Sequence, residues 1–236
     1  MPACAWGDLP AWVDVEQYRR SGRRVVVYEV RQPVLVLGST QPASLVDGVR
    51  AKAAGVALAR RRSGGGAVYL EPGGQEWVDI WIPRDDPCWS PEPHATAERV
   101  GEWWARGLAG TGMLHVHRGP SVPAPGDRVV CFAGIGPGEV LADGRKVVGL
   151  AQWRSREGAL VHGCAYRRWD PGALLDLLCV DEPLRRTIET ALVEQVAALD
   201  ELPGPPWRCE ELLAALPAGP PWDVRSADAP YLDDPR

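Results

Sequence analysis

Arg60-Arg61-Arg62-Ser63-Gly64-Gly65-Gly66-Ala67-Val68-Tyr69 is the stretch on which the fold assignment turns. Val56–Arg62 and Ala67–Leu70 read as β-like segments on either side, so three arginines end one strand and a glycine triplet leads into the next. Glycines let a bound group approach the backbone, where successive N–H groups point at an anion and a guanidinium adds charge-assisted contacts. The plain alternative is a glycine-rich hairpin with solvated arginines, and one glycine motif does not choose between them.

Further along lies Asp143-Gly144-Arg145-Lys146-Val147-Val148-Gly149-Leu150-Ala151-Gln152. Asp-Gly between strand-like runs signals a tight hairpin. It delivers Lys146 onto a strand where Gly149 and Ala151 leave room for a slender ligand, and the ammonium suits an acyl carbonyl or a phosphate. An ordinary exposed hairpin lysine is the alternative. Gly158-Ala159-Leu160-Val161-His162-Gly163 sets a histidine before a glycine on a third strand. Such a lone histidine is more often structural than catalytic.

The rest of the chain supplies the frame. Arg24–Val30 and Val34–Leu37 read as two strands joined by a turn at Gln32-Pro33, and Leu45–Ala54 as a short helix. Trp77–Ile82 reads as a strand with bulk on both faces. Glu92–Ala109 carries Val100, Trp103, Trp104 and Leu108 in one helical stripe. Strands are predicted at Val129–Phe132, Glu139–Leu141, Lys146–Gln152 and Ala159–Tyr166, then helices at Pro171–Leu178, Pro183–Leu199 and Glu210–Leu216. The Pro- and Asp-rich tail from Pro217 reads as frayed. Mixed strands first and helices last imply an α+β fold, a mixed β-sheet flanked by helices. Residues 1–200 form the main domain, and 201–236 a short helical extension and tail.

Composition narrows the function classes. With 236 residues, 45% hydrophobic and 24% charged, the chain buries a core without disulfide or metal staples. A net charge of −5 removes the global electrostatic case for a nucleic-acid partner. No apolar run reaches the roughly 18 residues of a membrane span. Asp8 and Asp14, with no basic segment before an apolar stretch, argue against a signal peptide. The expectation is a soluble, cytoplasmic protein. Cys4, Cys88, Cys131, Cys164, Cys179 and Cys209 are scattered with no C-x-x-C pair, which argues against a metal site. In a reducing cytosol most are expected to be small buried hydrophobes, with one as a possible nucleophile.

In this order and spacing, over roughly residues 25–200, the three motifs resemble the lipoate–protein ligase and octanoyltransferase superfamily. The resemblance implies a biotin/lipoyl ligase-like α+β catalytic domain with a cleft for a lipoyl, octanoyl or acyl-adenylate group. The product it implies is an amide on a lysine of a lipoyl carrier domain, in 2-oxoacid dehydrogenases or the glycine cleavage H protein. Residue by residue, Arg61, Ser63, Gly64, Gly65 and Gly66 match the family's acyl and phosphate lining. Lys146 matches its active-site lysine, with Gly149 and Ala151 beside it, and His162 and Gly163 match its His-Gly step. Many members follow the glycine triplet with an aromatic-His-Asp-x-Gly-Asn run. Here Tyr69-Leu70-Glu71-Pro72-Gly73-Gly74-Gln75 lacks that histidine and asparagine.

The superfamily uses two chemistries. Ligases activate lipoate with ATP and Mg, and typically place an Asp about seven residues ahead of the lysine. Glu139 stands there in this chain, inside Cys131-Phe132-Ala133-Gly134-Ile135-Gly136-Pro137-Gly138-Glu139. That arrangement resembles the octanoyltransferases of the ligase-like branch, whose cysteine takes the acyl group from a thioester, with acyl carrier protein as a possible donor and no cofactor. Cys131 is thus the first candidate nucleophile, since a thiolate is intrinsically reactive and a nearby ammonium lowers its pKa. Its alternative is a buried strand cysteine. Cys179, near the offset another octanoyltransferase branch uses, ranks second, with a core role on its apolar helix favoured. Cys164 is placed on the sheet where it could line the site. The short remainder after Leu199 also favours a transferase over a ligase with an accessory domain. An acyl-binding protein without turnover, and biotin ligation, are the remaining alternatives.

Overall fold

The computed structural model describes residues 9–19 and 22–229. A one-turn helix α1 (Glu16–Arg19) precedes strands β1 (Arg24–Glu29) and β2 (Val34–Leu37), helix α2 (Gly48–Ala53), and strands β3 (Ala57–Arg60), β4 (Val68–Leu70) and β5 (Gln75–Pro83). Helix α3 (Pro93–Gly107) is followed by β6 (Leu114–Val116), β7 (Val140–Ala142), β8 (Arg145–Arg154) and β9 (Gly158–Tyr166). Helices α4 (Pro171–Leu175), α5 (Glu182–Gln195) and α6 (Cys209–Ala214) and strand β10 (Asp223–Asp228) complete the order. This is the α+β architecture expected.

Two sheets share the strands. A seven-stranded sheet runs β10-β1-β5-β9-β8-β7-β6, antiparallel except for the parallel β1–β10 pair. A three-stranded sheet runs β3-β2-β4, with β2 parallel to β3 and antiparallel to β4. The all-buried Val34–Leu37 run marks the division: β2 is covered on both faces, whereas β1 leaves Arg24 and Val27 only partly covered and Glu29 exposed. The expected β1–β2 turn therefore joins strands of different sheets. Between the sheets lies an apolar core that includes Leu35, Leu37, Leu70, Trp77, Phe132 and Cys164. A second core, under α3 and α6, includes Val78, Ile80, Trp104, Val161 and Leu212. Side-chain alternation along β5 and β9 feeds both, which accounts for bulk on the two faces of Trp77–Ile82.

Four details depart from the sequence reading. The tail is not frayed over Asp223–Asp228: it pairs with β1 along six positions. Arg23 holds it there, bonding Asp86 (Nε–Oδ2 2.5 Å), reaching the carbonyls of Pro217, Ala218 and Pro220, and lying on the Trp222 ring. Val129–Phe132 is a turn region with one bridge, Ala67–Val130, because Gly126 and its neighbours coil the chain there. Leu114–Val116, at three residues too short to signal itself, is a strand. The helix expected to Leu199 stops at Gln195, where Val196 turns extended so that Ala197 N–H bonds the Lys146 carbonyl (2.9 Å). No helix among the described residues is long and apolar enough to cross a membrane.

Candidate active site

The Asp143-Gly144 turn forms as expected, with φ of 49° and 80°, and starts β8 with Lys146. This lysine is only 1% exposed, which removes the reading as an ordinary surface hairpin residue. Its Nζ lies 2.7 Å from Glu139 Oε2, donates to the Cys131 carbonyl at 3.2 Å, and stands 5.3 Å from the Phe132 ring centroid. Glu139 is equally enclosed. Its Oε2 also accepts from Gly136 N–H (2.7 Å), and Oε1 from Leu150 N–H (3.2 Å). Burying such a pair costs desolvation, which the added backbone donors offset.

The glycine triplet sits between β3 and β4. Arg61, 1% exposed, has its guanidinium folded under the loop. Nη2 donates to the Gly64 and Gly66 carbonyls (2.8 and 2.7 Å), Nε to Ser63 Oγ (3.1 Å), and Nη1 to the Val36 carbonyl (3.3 Å). Burial pulls its pKa below the ordinary guanidinium value, opposed by Cys131, Cys164 and Tyr166. Arg61 thus shapes the loop from beneath. Gly65 has φ +93°, and a Cβ there would stand 3.0 Å from Arg61 Nη2 and 3.7 Å from Cys131 Sγ. Gly66 permits no side chain, since a Cβ would lie 2.4–2.6 Å from Val130 and Cys131 backbone atoms.

Cys131 is therefore brought to the loop and to the lysine together. Its N–H bonds the Ala67 carbonyl (3.1 Å) and its own carbonyl accepts from Lys146. The thiol belongs to a half-buried residue beside exposed Gly65. Cys164 is buried, and that burial pushes its thiol well above the usual cysteine range, with Cys131 adding to the shift and Arg61 opposing it. It stays a protonated core thiol. Cys179 is exposed after α4, its N–H on the Leu45 carbonyl, so the expected core role does not hold. Cys88 and Cys209 are partly buried, and Cys4 lies outside the described residues.

The remaining motif residues divide by sheet face. Gly149 pairs with Cys164, and Ala151 with His162. A Cβ on Gly149 would meet the Phe132 ring at 3.0 Å, so this glycine makes room for Phe132 rather than for a ligand. Ala151 is partly exposed beside His162. Gly163 faces the other way: its absent Cβ would lie 2.6 Å from Trp104 Nε1, so the glycine is demanded by α3 packing and does not line the cleft.

His162 is 2% exposed and donates Nδ1–H to Asp79 Oδ1 at 2.6 Å. Asp79 also accepts from Trp77 Nε1 (2.8 Å) and Tyr18 Oη (3.1 Å). His162 Nε2 is buried without a hydrogen-bond partner among the described residues. Sequence reasoning missed Asp79, although a carboxylate in the middle of a buried strand was the signal. It also missed Gly38, where a Cβ would lie 2.0 Å from the Gly65 carbonyl, and Gln41, which bridges Gly38 N–H to the Arg128 and Val129 carbonyls. In the departing loop, Gln75 closes the Glu71 turn with two hydrogen bonds, to Glu71 N–H and O (2.9 and 3.0 Å).

A model of the lipoyl protein ligase A/B catalytic domain matches residues 14–219. Octanoyltransferase LipM from Kyrpidia tusciae is 30% identical over 198 residues, covering 79% of this chain and 70% of the relative. A chain from the archaeal lipoylation system of Thermoplasma acidophilum, described as a bi-partite lipoate protein ligase and its E2 lipoyl domain, superposes with a TM-score of 0.63. Its identity is 24%, over 86% of this chain and 72% of its own. Protein Ta0514 from the same organism, solved with bound lipoic acid, gives 0.62 at 20% identity, over 91% and 80%. These two structures share the fold.

Proposed function

The chain belongs to the lipoyl protein ligase A/B catalytic domain family, and from that premise we propose that it attaches an octanoyl or lipoyl group to a lysine of a lipoyl carrier domain, through an acyl-enzyme on Cys131. The observation that carries this reading is the position of Cys131: its thiol adjoins exposed Gly65, and its carbonyl is held by buried Lys146. The likeness to an octanoyltransferase adds support. So does Glu139, which stands where ligases carry Asp but whose two oxygens already accept bonds from Lys146, Gly136 and Leu150.

In the first step the Cys131 thiolate attacks the donor thioester carbonyl. A new S–C bond forms, the donor's S–C bond breaks, and the departing carrier thiolate takes up the proton that Cys131 gave up in forming its thiolate. In the second the acceptor lysine amine attacks the acyl-cysteine, the amide forms, and the Cys131 sulfur departs and recovers a proton from the amine. Both steps pass through an oxyanion, and the Lys146 ammonium is the buried cation beside it. Arg61 and the glycine loop form the wall under which the acyl chain lies.

Incubation with octanoyl–acyl carrier protein and apo lipoyl domain, followed by intact-mass measurement, tests this. One octanoyl group is expected first on the enzyme, hydroxylamine-sensitive, and then on the lipoyl domain, and Cys131→Ser abolishes both. Full activity of that variant, dependent on lipoate and ATP–Mg, overturns the proposal in favour of a ligase.

A further inference from the structure

Three segments are tied together at Cys131, one ending in it and another bringing Gly65 to its thiol, and their charge is opposite to that of the chain. Arg60 Nη1 bonds the Gly38 and Gln41 carbonyls (2.9 and 2.6 Å), Gln41 Nε2 bonds the Arg128 and Val129 carbonyls (2.9 and 3.0 Å), and Ala67 bridges to Val130. Residues 38–42, 60–66 and 124–131 are thereby stitched into one rim. They hold four arginines, Arg60, Arg61, Arg62 and Arg128, against one carboxylate, Asp127, in a chain of net charge −5.

None of the four meets a carboxylate in an ion pair among the described residues. Arg60 and Arg61 spend their donors on carbonyls and Ser63, which leaves their charge uncompensated, and Arg62 and Arg128 are exposed. Elsewhere several exposed arginines find acids, as Arg31 does Glu29, Arg118 Glu98 and Arg186 Glu182, while Arg106, Arg156 and Arg168 stand singly without an ion pair among the described residues. The rim differs in gathering four unpaired arginines into joined segments. An uncompensated cationic rim around a reactive thiol raises the local concentration of anionic partners and accelerates their encounter.

We infer that this rim is a docking surface for the acidic face of the carrier protein that presents the acyl thioester, with Arg62 and Arg128 as its exposed contacts. The inference rests on the transferase reading for its choice of partner. A macromolecule delivering a thioester to Cys131 has to approach the segment that carries it and the loop that brings Gly65 to its thiol.

The test compares wild type with Arg62→Glu/Arg128→Glu. Direct binding of octanoyl–acyl carrier protein is measured by anisotropy across a salt series, alongside acyl-enzyme formation from that carrier and from a small octanoyl thioester. Carrier affinity is expected to fall by about tenfold or more at low salt and to lose most of its salt dependence. Acylation by the small thioester is expected to keep its wild-type rate. Unchanged carrier affinity, or an equal loss with the small thioester, overturns the docking surface. Weakened ATP binding with carrier binding intact assigns the rim to a polyphosphate and overturns it too. A wild type that binds carrier through the arginines yet forms no acyl-enzyme sinks the transferase reading alone.

Discussion

Two cation–carboxylate pairs in this molecule are buried to the same degree, with side chains 2% and 4% exposed in each: Arg23 with Asp86, and Lys146 with Glu139. Their surroundings differ. Arg23 spends its guanidinium on Asp86, on three carbonyls of the segment leading to β10, and on the Trp222 face. It is a clamp, and a planar fork with five fixed donors suits that task. Lys146 offers a compact ammonium that touches Glu139 and one backbone carbonyl, that of the cysteine beside the glycine loop. The same burial serves anchoring in one place and keeps a charge beside the cysteine proposed as nucleophile in the other.

Breaking the clamp has the larger effect on the fold. Asp86→Asn leaves Arg23 buried without its counter-charge and is expected to cost about 3–5 kcal/mol in urea unfolding while kcat stays near wild type. Stability loss matched by loss of turnover breaks the distinction between the pairs.

Lys146→Ala is expected to lower turnover by roughly 10²–10³, equivalent to about 2.7–4 kcal/mol of transition-state stabilisation. Lys146→Arg rescues little, because the guanidinium is wider and aims its donors differently. Since alanine also strands Glu139, the pair Lys146→Met/Glu139→Gln sharpens the result: it is expected to regain stability and remain inactive. Turnover of Lys146→Ala within about threefold of wild type removes the catalytic role.

The smallest effect is in acid. Burial alone would raise the Asp86 pKa, but the Arg23 hydrogen bonds and the Cys88 N–H outweigh it and hold the carboxyl below its ordinary 3.8. A depressed folded-state pKa gives stability that is complete above the unfolded value and lost as pH falls through the folded one. The stability gap between wild type and Asp86→Asn is therefore expected to persist at pH 6 and shrink below about pH 4. A gap independent of pH shows that Asp86 is not ionised in the folded protein.

What the sequence made legible was local. Asp143-Gly144 dictates its own turn, and each of the three motifs fits within ten residues, so their residue types and order are visible without knowing the fold. What it hid depends on partners far along the chain. Asp79 gains its meaning from His162 on a neighbouring strand, and Gly163 from Trp104 on a helix. Gly149 has the composition of a ligand slot, yet only the packed structure shows Phe132 filling the space. The β10 segment, DVRSAD, has little β-propensity of its own. It becomes a strand because β1 offers an open edge and Arg23 grips the approach.

The glycine loop belongs to the three-stranded sheet, while Lys146 and His162 belong to the seven-stranded one. Cys131 belongs to neither and is tied to both, its amide to Ala67 on one side and its carbonyl to Lys146 on the other. Any relative shear of the two sheets has to stretch one of those two bonds. Deuterium uptake at the Cys131 amide thus times the parting of the layers, and the residue proposed as nucleophile is the rivet through which that motion has to pass.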